Sequence, residues 1–159
     1  MLKANVTRRD DLVVSYVKEG VGFIGTQKEA LAREDVSKLI EVARWHRYIL
    51  DLSGKWLTGD YSDLEFRYAK MDMVNTIKGT KFDRCIFNYV DLSNSFLFGN
   101  SFVGAIFKGV KIDDSNLSHA DLSGAFLHRV SLNRTNMYGV RSDPKTRILE
   151  SDLSGAYYL

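Results

Sequence analysis

From Asn75 to Gly139 the chain repeats with a period of five. Large apolar residues stand at Ile77, Phe82, Phe87, Leu92, Leu97, Phe102, Phe107, Ile112, Leu117, Leu122, Leu127, Leu132 and Met137. Leu, Ile, Phe and Met make up about a quarter of the chain, so this register arises by chance with a probability on the order of 10⁻⁸. A second column precedes each by two positions, from Asn75, Thr80, Cys85 and Val90 to Thr135, and admits nothing charged or aromatic. A period of five suits neither the helix nor the flat strand. The backbone must instead turn a corner every five residues, presenting one large and one small side chain inward. Short units of that kind gain a core only by stacking, as in solenoids.

The first fifty residues differ in kind. Leu12–Val17 is β-branched and apolar and predicts a strand. Glycines at 20, 22 and 25 follow, and Thr26 with Glu29 forms a capping box that predicts a helix from Gln27 to about His46. Tyr48–Leu52 reads as extended and leads into a first pentad, Lys55–Gly59. Over 60–74 the repeat is ragged, because the units centred on Leu64 and Met71 stand seven residues apart. Register is lost again over 140–150, where Asp143-Pro-Lys-Thr146 predicts a turn, and Ser151-Asp-Leu-Ser-Gly155 restarts it. The predicted organisation is thus a cap over residues 1–50 and a repeat over 51–159, with a regular core at 75–139, a loop at 140–150 and a terminal repeat at 151–159.

The units Ala120-Asp-Leu-Ser-Gly124, Val90-Asp-Leu-Ser-Asn94 and Ser115-Asn-Leu-Ser-His119 resemble the A(D/N)LxX unit of pentapeptide-repeat proteins. The resemblance implies a mainly β fold, a right-handed quadrilateral β-helix with four pentads to a coil, here with a small N-terminal α+β cap. On that geometry residues twenty apart stack, and Ile86, Ile106 and Phe126 share one outward slot flanked by Tyr89. With rungs ~4.8 Å apart they make a continuous apolar stripe, the candidate contact surface. Two readings of it remain open: a partner site, or a seat for the N-terminal helix.

Charge and chemistry narrow the function. The chain has 22 basic and 20 acidic residues in 159, a formal +2, with no long block of one sign. That favours neither nucleic acid nor a membrane surface as a partner. No apolar run is long enough to span a bilayer and no signal peptide is read. The one cysteine, Cys85, falls in the small inward column and predicts a buried thiol in a reducing, cytoplasmic setting. Gly20-Val-Gly-Phe-Ile-Gly25 spells a dinucleotide-binding fingerprint, but fifty residues cannot supply the parallel sheet that motif serves, and a glycine-rich turn explains it better. His46, His119 and His128 lack metal-ligand spacing, and no nucleophile has an activating partner. No cofactor is expected, and the chain reads as a non-enzyme.

The expectation is a protein-interaction or scaffold module with an unidentified protein partner. The alternative that the family resemblance offers is a DNA-mimic-like binder of topoisomerases such as gyrase. It fits poorly. Residues 75–139 carry seven bases (Lys78, Lys81, Arg84, Lys108, Lys111, Arg129, Arg134) against five acids (Asp83, Asp91, Asp113, Asp114, Asp121). Duplex DNA of the same ~16 Å length carries ~9 negative charges. The C-terminal Tyr157, Tyr158 and Leu159 are the candidate surface for an end-to-end homodimer, as the resemblance implies for gyrase-binding relatives.

Overall fold

The computed structural model describes residues 30–158, together with the backbone of two strands, β1 (Lys3–Thr7) and β2 (Val13–Val17). Helix α1 (Arg33–His46) is followed by eight short strands: β3 (Ile49–Asp51), β4 (Trp56–Leu57), β5 (Glu65–Arg67), β6 (Asn75–Thr76), β7 (Ile86–Asn88), β8 (Ile106–Lys108), β9 (Phe126–His128) and β10 (Arg147–Leu149). From β3 onward every pairing is parallel, and between β7 and β9 each residue lies beside the one twenty positions ahead. The chain is therefore wound into a β-solenoid of about five turns. The observed register makes each coil four-sided, because four five-residue steps bring the backbone back over itself.

The coil is held by two kinds of backbone bond. Along the axis, Asn116 N–H donates to Ser95 O of the coil below at 2.9 Å, while Leu117 N–H donates to Asn136 O of the coil above at 2.8 Å. Within a coil, the corner closes locally, as where Ala120 N–H donates to Leu117 O at 2.9 Å. Inside, the large column stacks like on like. Tyr61, Phe82 and Phe102 lie face to face with centroids 5.3 and 5.2 Å apart, and Phe66, Phe87 and Phe107 form a second stack at 5.1 and 4.9 Å. Offset aromatic pairs of this kind add to the burial of the rings themselves. The small column fills the corners, with Cys85, Ala105, Ala120 and Ala125 wholly buried.

The register departs from the sequence reading in four places. Asn75 pairs with Phe96, which puts Thr76 beside Leu97 and makes Thr76 and Val74 the inward pair; Ile77 and Asn75 lie partly outside. The Thr76 hydroxyl is satisfied by Phe96 O at 2.8 Å and by the Asn100 amide, so a polar residue is tolerated inside. The next inward residue of the large column is Phe82, six positions on, and that is where one residue is inserted. Over 60–74 there is no interruption. Phe66, not Leu64, is the large inward residue, five before Met71, because Glu65 pairs with Ile86 and Phe66 with Phe87. The shortened step lies earlier, between Leu57 and Tyr61.

At 140–150 the structure shows a side of the coil rather than a loop. Pro144 and Lys145 form the expected turn, one residue is added, and β10 rejoins the sheet beside β9. Finally, α1 starts at Arg33, not Gln27, which with Thr26 and Glu29 lies outside the described residues. Leu31 is drawn out of helical geometry by β4: its N–H donates to Trp56 O at 2.8 Å and its carbonyl accepts from Thr58 N–H at 3.4 Å. Asp35 then accepts from Ala32 N–H at 3.3 Å at the helix start. Val36, Leu39 and Ala43 turn the apolar side of α1 onto the first coil and join the same core.

Candidate functional site

The four sides of the solenoid can be named by one inward residue each: Leu92, Leu97, Phe102 and Phe107. The Leu92 side is polar, its outward column reading Asp51, Lys70, Asp91, Lys111, Ser131, Asp152. Its side chains bond from coil to coil, as where the Ser131 hydroxyl donates to Asp113 Oδ1 at 2.5 Å. The Phe102 side is also charged, with Asp60, Lys81, Ser101, Asp121 and Arg141 in register. At its edge Arg84 reaches back to Asp63 in a two-point ion pair at 2.8 Å, which holds that carboxyl below its ordinary value. The apolar surface is on the other two sides.

The Phe107 side carries the predicted stripe. Its five strands run in the order β10, β9, β8, β7, β5, which aligns Glu65, Ile86, Ile106, Phe126 and Arg147 in one outward column. Ile86 is 36% and Ile106 40% exposed, and Phe126 is half-buried. Helix α1 sits on the end of the solenoid, so the reading of this stripe as its seat is not what is observed. Tyr89 flanks the stripe as expected and stacks on Tyr68 with centroids 5.5 Å apart. Around the apolar centre stand Arg67, Lys108, Arg129 and Arg147, with Glu65 and Glu150. Arg129 pairs with Glu150 at 2.8 Å and Arg67 with Glu65 at 2.6 Å.

The opposite Leu97 side holds an aromatic band that the sequence reading did not pick out. Phe96 stacks with Phe98 at 6.1 Å, Phe98 meets His119 edge-on at 5.4 Å, and His119 meets Tyr138 edge-on at 5.2 Å. The Lys78 ammonium lies 5.6 Å from the Phe98 ring centre. A signal existed, since 98, 119 and 138 fall about one coil apart in outward slots, but it alternates between positions and mixes residue types. Tyr157 and Tyr158 of the candidate dimer surface are both exposed, and Leu159 lies outside the described residues.

Little here offers reactive chemistry. Cys85 is buried, donates to Tyr61 O at 3.0 Å, and has its thiol pushed up to about 12 by burial. Among the described residues no group of His, Cys, Asp and Glu is placed to hold a metal, and no helix is long and apolar enough to cross a membrane. The glycines of the fingerprint-like motif lie outside the described residues.

A four-sided coil with one large and one small inward residue per side defines a class of solenoid. Residues 111–141 match the family model described as pentapeptide repeats (8 copies). A pentapeptide repeat protein, Rfr23, from the cyanobacterium Cyanothece 51142 superposes with a TM-score of 0.57 at 24% identity, over 60% of this chain and 65% of that one. A pentapeptide repeat protein of the Arabidopsis thaliana thylakoid lumen aligns at 25% identity over 61% and 63%, with a TM-score of 0.38. QnrB1, a plasmid-mediated fluoroquinolone resistance protein, aligns in a trypsin-treated form at 20% identity over 68% and 59%, with a TM-score of 0.37. The chain thus spans less than two thirds of the length of each. No curated protein matches it. Residues 111–141 are thus pentapeptide repeats, and the chain has the fold of a pentapeptide-repeat solenoid.

Proposed function

We propose that this protein is a non-enzymatic interaction module that binds a protein partner through the Phe107 side of its solenoid. One observation carries the reading: Ile86, Ile106 and Phe126 stand in strict register on a single parallel sheet, part-exposed, with a charged rim of four bases and two carboxylates around them. Side chains twenty residues apart are here only one rung apart, so three modest apolar groups become one contiguous patch. Such patches with polar rims are where soluble proteins make contacts. The rigid backbone beneath holds the three side chains in place before binding, which lowers the ordering cost of association.

A DNA-mimic role toward a topoisomerase draws no support from the charge pattern, since acids and bases alternate along both charged sides. Affinity capture from a cell extract with tagged parent and Ile106→Asp tests the proposal. A partner retained by the parent and lost by Ile106→Asp, while Ser123→Asp on the Phe102 side retains it, supports the stripe. Equal capture by all three proteins overturns it.

A further inference from the structure

Among the described residues, the end of the solenoid nearest α1 is closed on three of its four sides, each by a different device. On the Leu92 side β2 pairs in parallel with β3, Val14 lying beside Leu50. On the Leu97 side Leu31 takes the place of a strand, bonding Trp56 O and Thr58 N–H. On the Phe102 side the Arg33 guanidinium covers the two carbonyls that face outward, Ser62 O at 2.6 Å and Asp60 O at 3.2 Å. Solenoid ends need such covers because an open strand edge leaves backbone donors and acceptors unmatched.

The fourth side is different. Strand β5 is the last in its sheet, and the groups equivalent to Trp56 O and Thr58 N–H are Glu65 O and Arg67 N–H. Among the described residues nothing bonds to them. In front of this edge lies a cleft of ≈360 Å³ between the C-terminal part of α1 and the coil. Its walls are Ile40, Ala43, Ile49 and Leu50, with Tyr48 and Tyr68 at its sides. Three guanidiniums, Arg44, Arg47 and Arg67, border it against one carboxylate, Glu65, to which Arg44 and Arg67 both pair at 3.3 and 2.6 Å. Arg47, held in left-handed geometry just past the helix, has no ion-pair partner among the described residues.

From these features we infer that the edge of β5 is a docking site for an extended, acidic segment of another protein, added to the sheet as a parallel strand. Backbone bonds to Glu65 O and Arg67 N–H supply the pairing, as in other cases of strand addition to an open edge. An aromatic or branched apolar side chain enters between Tyr48 and Tyr68. Carboxylates on either side of it meet Arg47 and the outer guanidinium faces of Arg44 and Arg67. Parallel direction follows from the two closures that use backbone, since β2 and Leu31 both run parallel to their neighbours. The inference builds on the reading of the protein as an interaction module but does not depend on the apolar stripe.

The test uses the ¹⁵N-labelled full chain and a pool of N-acetylated heptapeptides. Each peptide has Asp or Glu at both ends and Phe, Tyr, Leu, Ile or Val at its three central positions. Addition of the pool should shift the Arg67 amide resonance, with Tyr48 and Tyr68, and slow Arg67 amide exchange at least tenfold. A pool with Lys in place of the acids, and an acidic pool methylated at its backbone nitrogens, should both leave Arg67 unchanged. Arg47→Glu should weaken the acidic pool at least fivefold, whereas Ile106→Asp should not affect it. The proposal is overturned if the acidic pool leaves Arg67 unchanged or acts equally well when N-methylated. It is also overturned if the Arg67 amide is already protected in the protein alone, which means that its own chain or a second copy fills the edge.

Discussion

The ring of Tyr89 lies across Gly109, one coil further on, so closely that a Cβ at 109 would stand 2.7 Å from the ring. The backbone at Gly109 is also left-handed, with φ 62°. Tyr89 needs the space that a missing side chain leaves, and it flanks the proposed contact surface from there. Gly109→Ala should therefore cost about 1–3 kcal/mol from left-handed strain and from displacement of the ring. Chemical melts of Gly109→Ala, Tyr89→Ala and the double variant check this. The double variant should lose less than the two single losses added together, because one of the two costs is a shared clash.

Tyr61 ties the end of the solenoid to the segment before α1. Its hydroxyl donates to Leu31 O and accepts from Thr58 N–H at 2.9 Å, while its ring is wholly buried. Tyr61→Phe leaves Leu31 O and Thr58 N–H only their long 3.4 Å bond to each other and should destabilise the protein by about 1–3 kcal/mol. Protease sensitivity should rise around residues 30–33, the point where the closure of the Leu97 side is loosened.

Alkaline pH should weaken the fold through two buried acids. Burial pushes Cys85 up from 9.0, and Tyr61 from 10.0, to about 12 in each case. A raised pKa means that the fold favours the protonated form. The contribution is therefore complete below pH 9 and is lost as pH rises from about 9 toward 12. Denaturant midpoints measured from pH 8 to 11.5 should fall over that range, and less steeply for Cys85→Ala and Tyr61→Phe. In the native protein at pH 8, Cys85 should resist a thiol reagent until denaturant is added.

The corrected register makes a prediction of its own at Ile77 and Phe82. Phe82→Ala should cost roughly 3–5 kcal/mol, since it opens a hole between Tyr61 and Phe102. Ile77→Ala, at a half-buried position beside the inserted residue, should cost less than about 1 kcal/mol. Comparable losses in melts of the two variants would mean that Ile77, not Thr76, points inward.

What the sequence shows and what it hides follow from one physical distinction. Between Phe82 and Met137 the period is unbroken, and every residue that the pattern turns inward is buried. There, patterning alone suffices, because each coil is built on an identical neighbour. It fails where the pairing decides instead. Thr76 is inward although polar, because Asn100 and Phe96 O satisfy it, and the more apolar Ile77 beside it misleads. Phe66 outranks Leu64 only because β5 must match β7. The alignment of the stripe was legible, since within 75–139 one outward slot repeats at twenty-residue spacing as Ile86, Ile106 and Phe126. The cleft at β5 was not. It depends on where α1 comes to rest and on which coil edge it leaves open, and neither is a local property of the chain.

Ile106 and Phe107 are neighbours in the chain and lie on opposite sides of the same sheet, one 40% and the other 1% exposed. Denaturant melts of Ile106→Asp and Phe107→Ala, with partner capture by Ile106→Asp, test most directly the claim that an outward stripe on a rigid coil is the working surface. The account predicts that Phe107→Ala loses about 3–5 kcal/mol. It predicts that Ile106→Asp keeps the parent midpoint within about 0.5 kcal/mol and loses the partner. A large loss of stability in Ile106→Asp, or parent-like capture by it, would contradict the account.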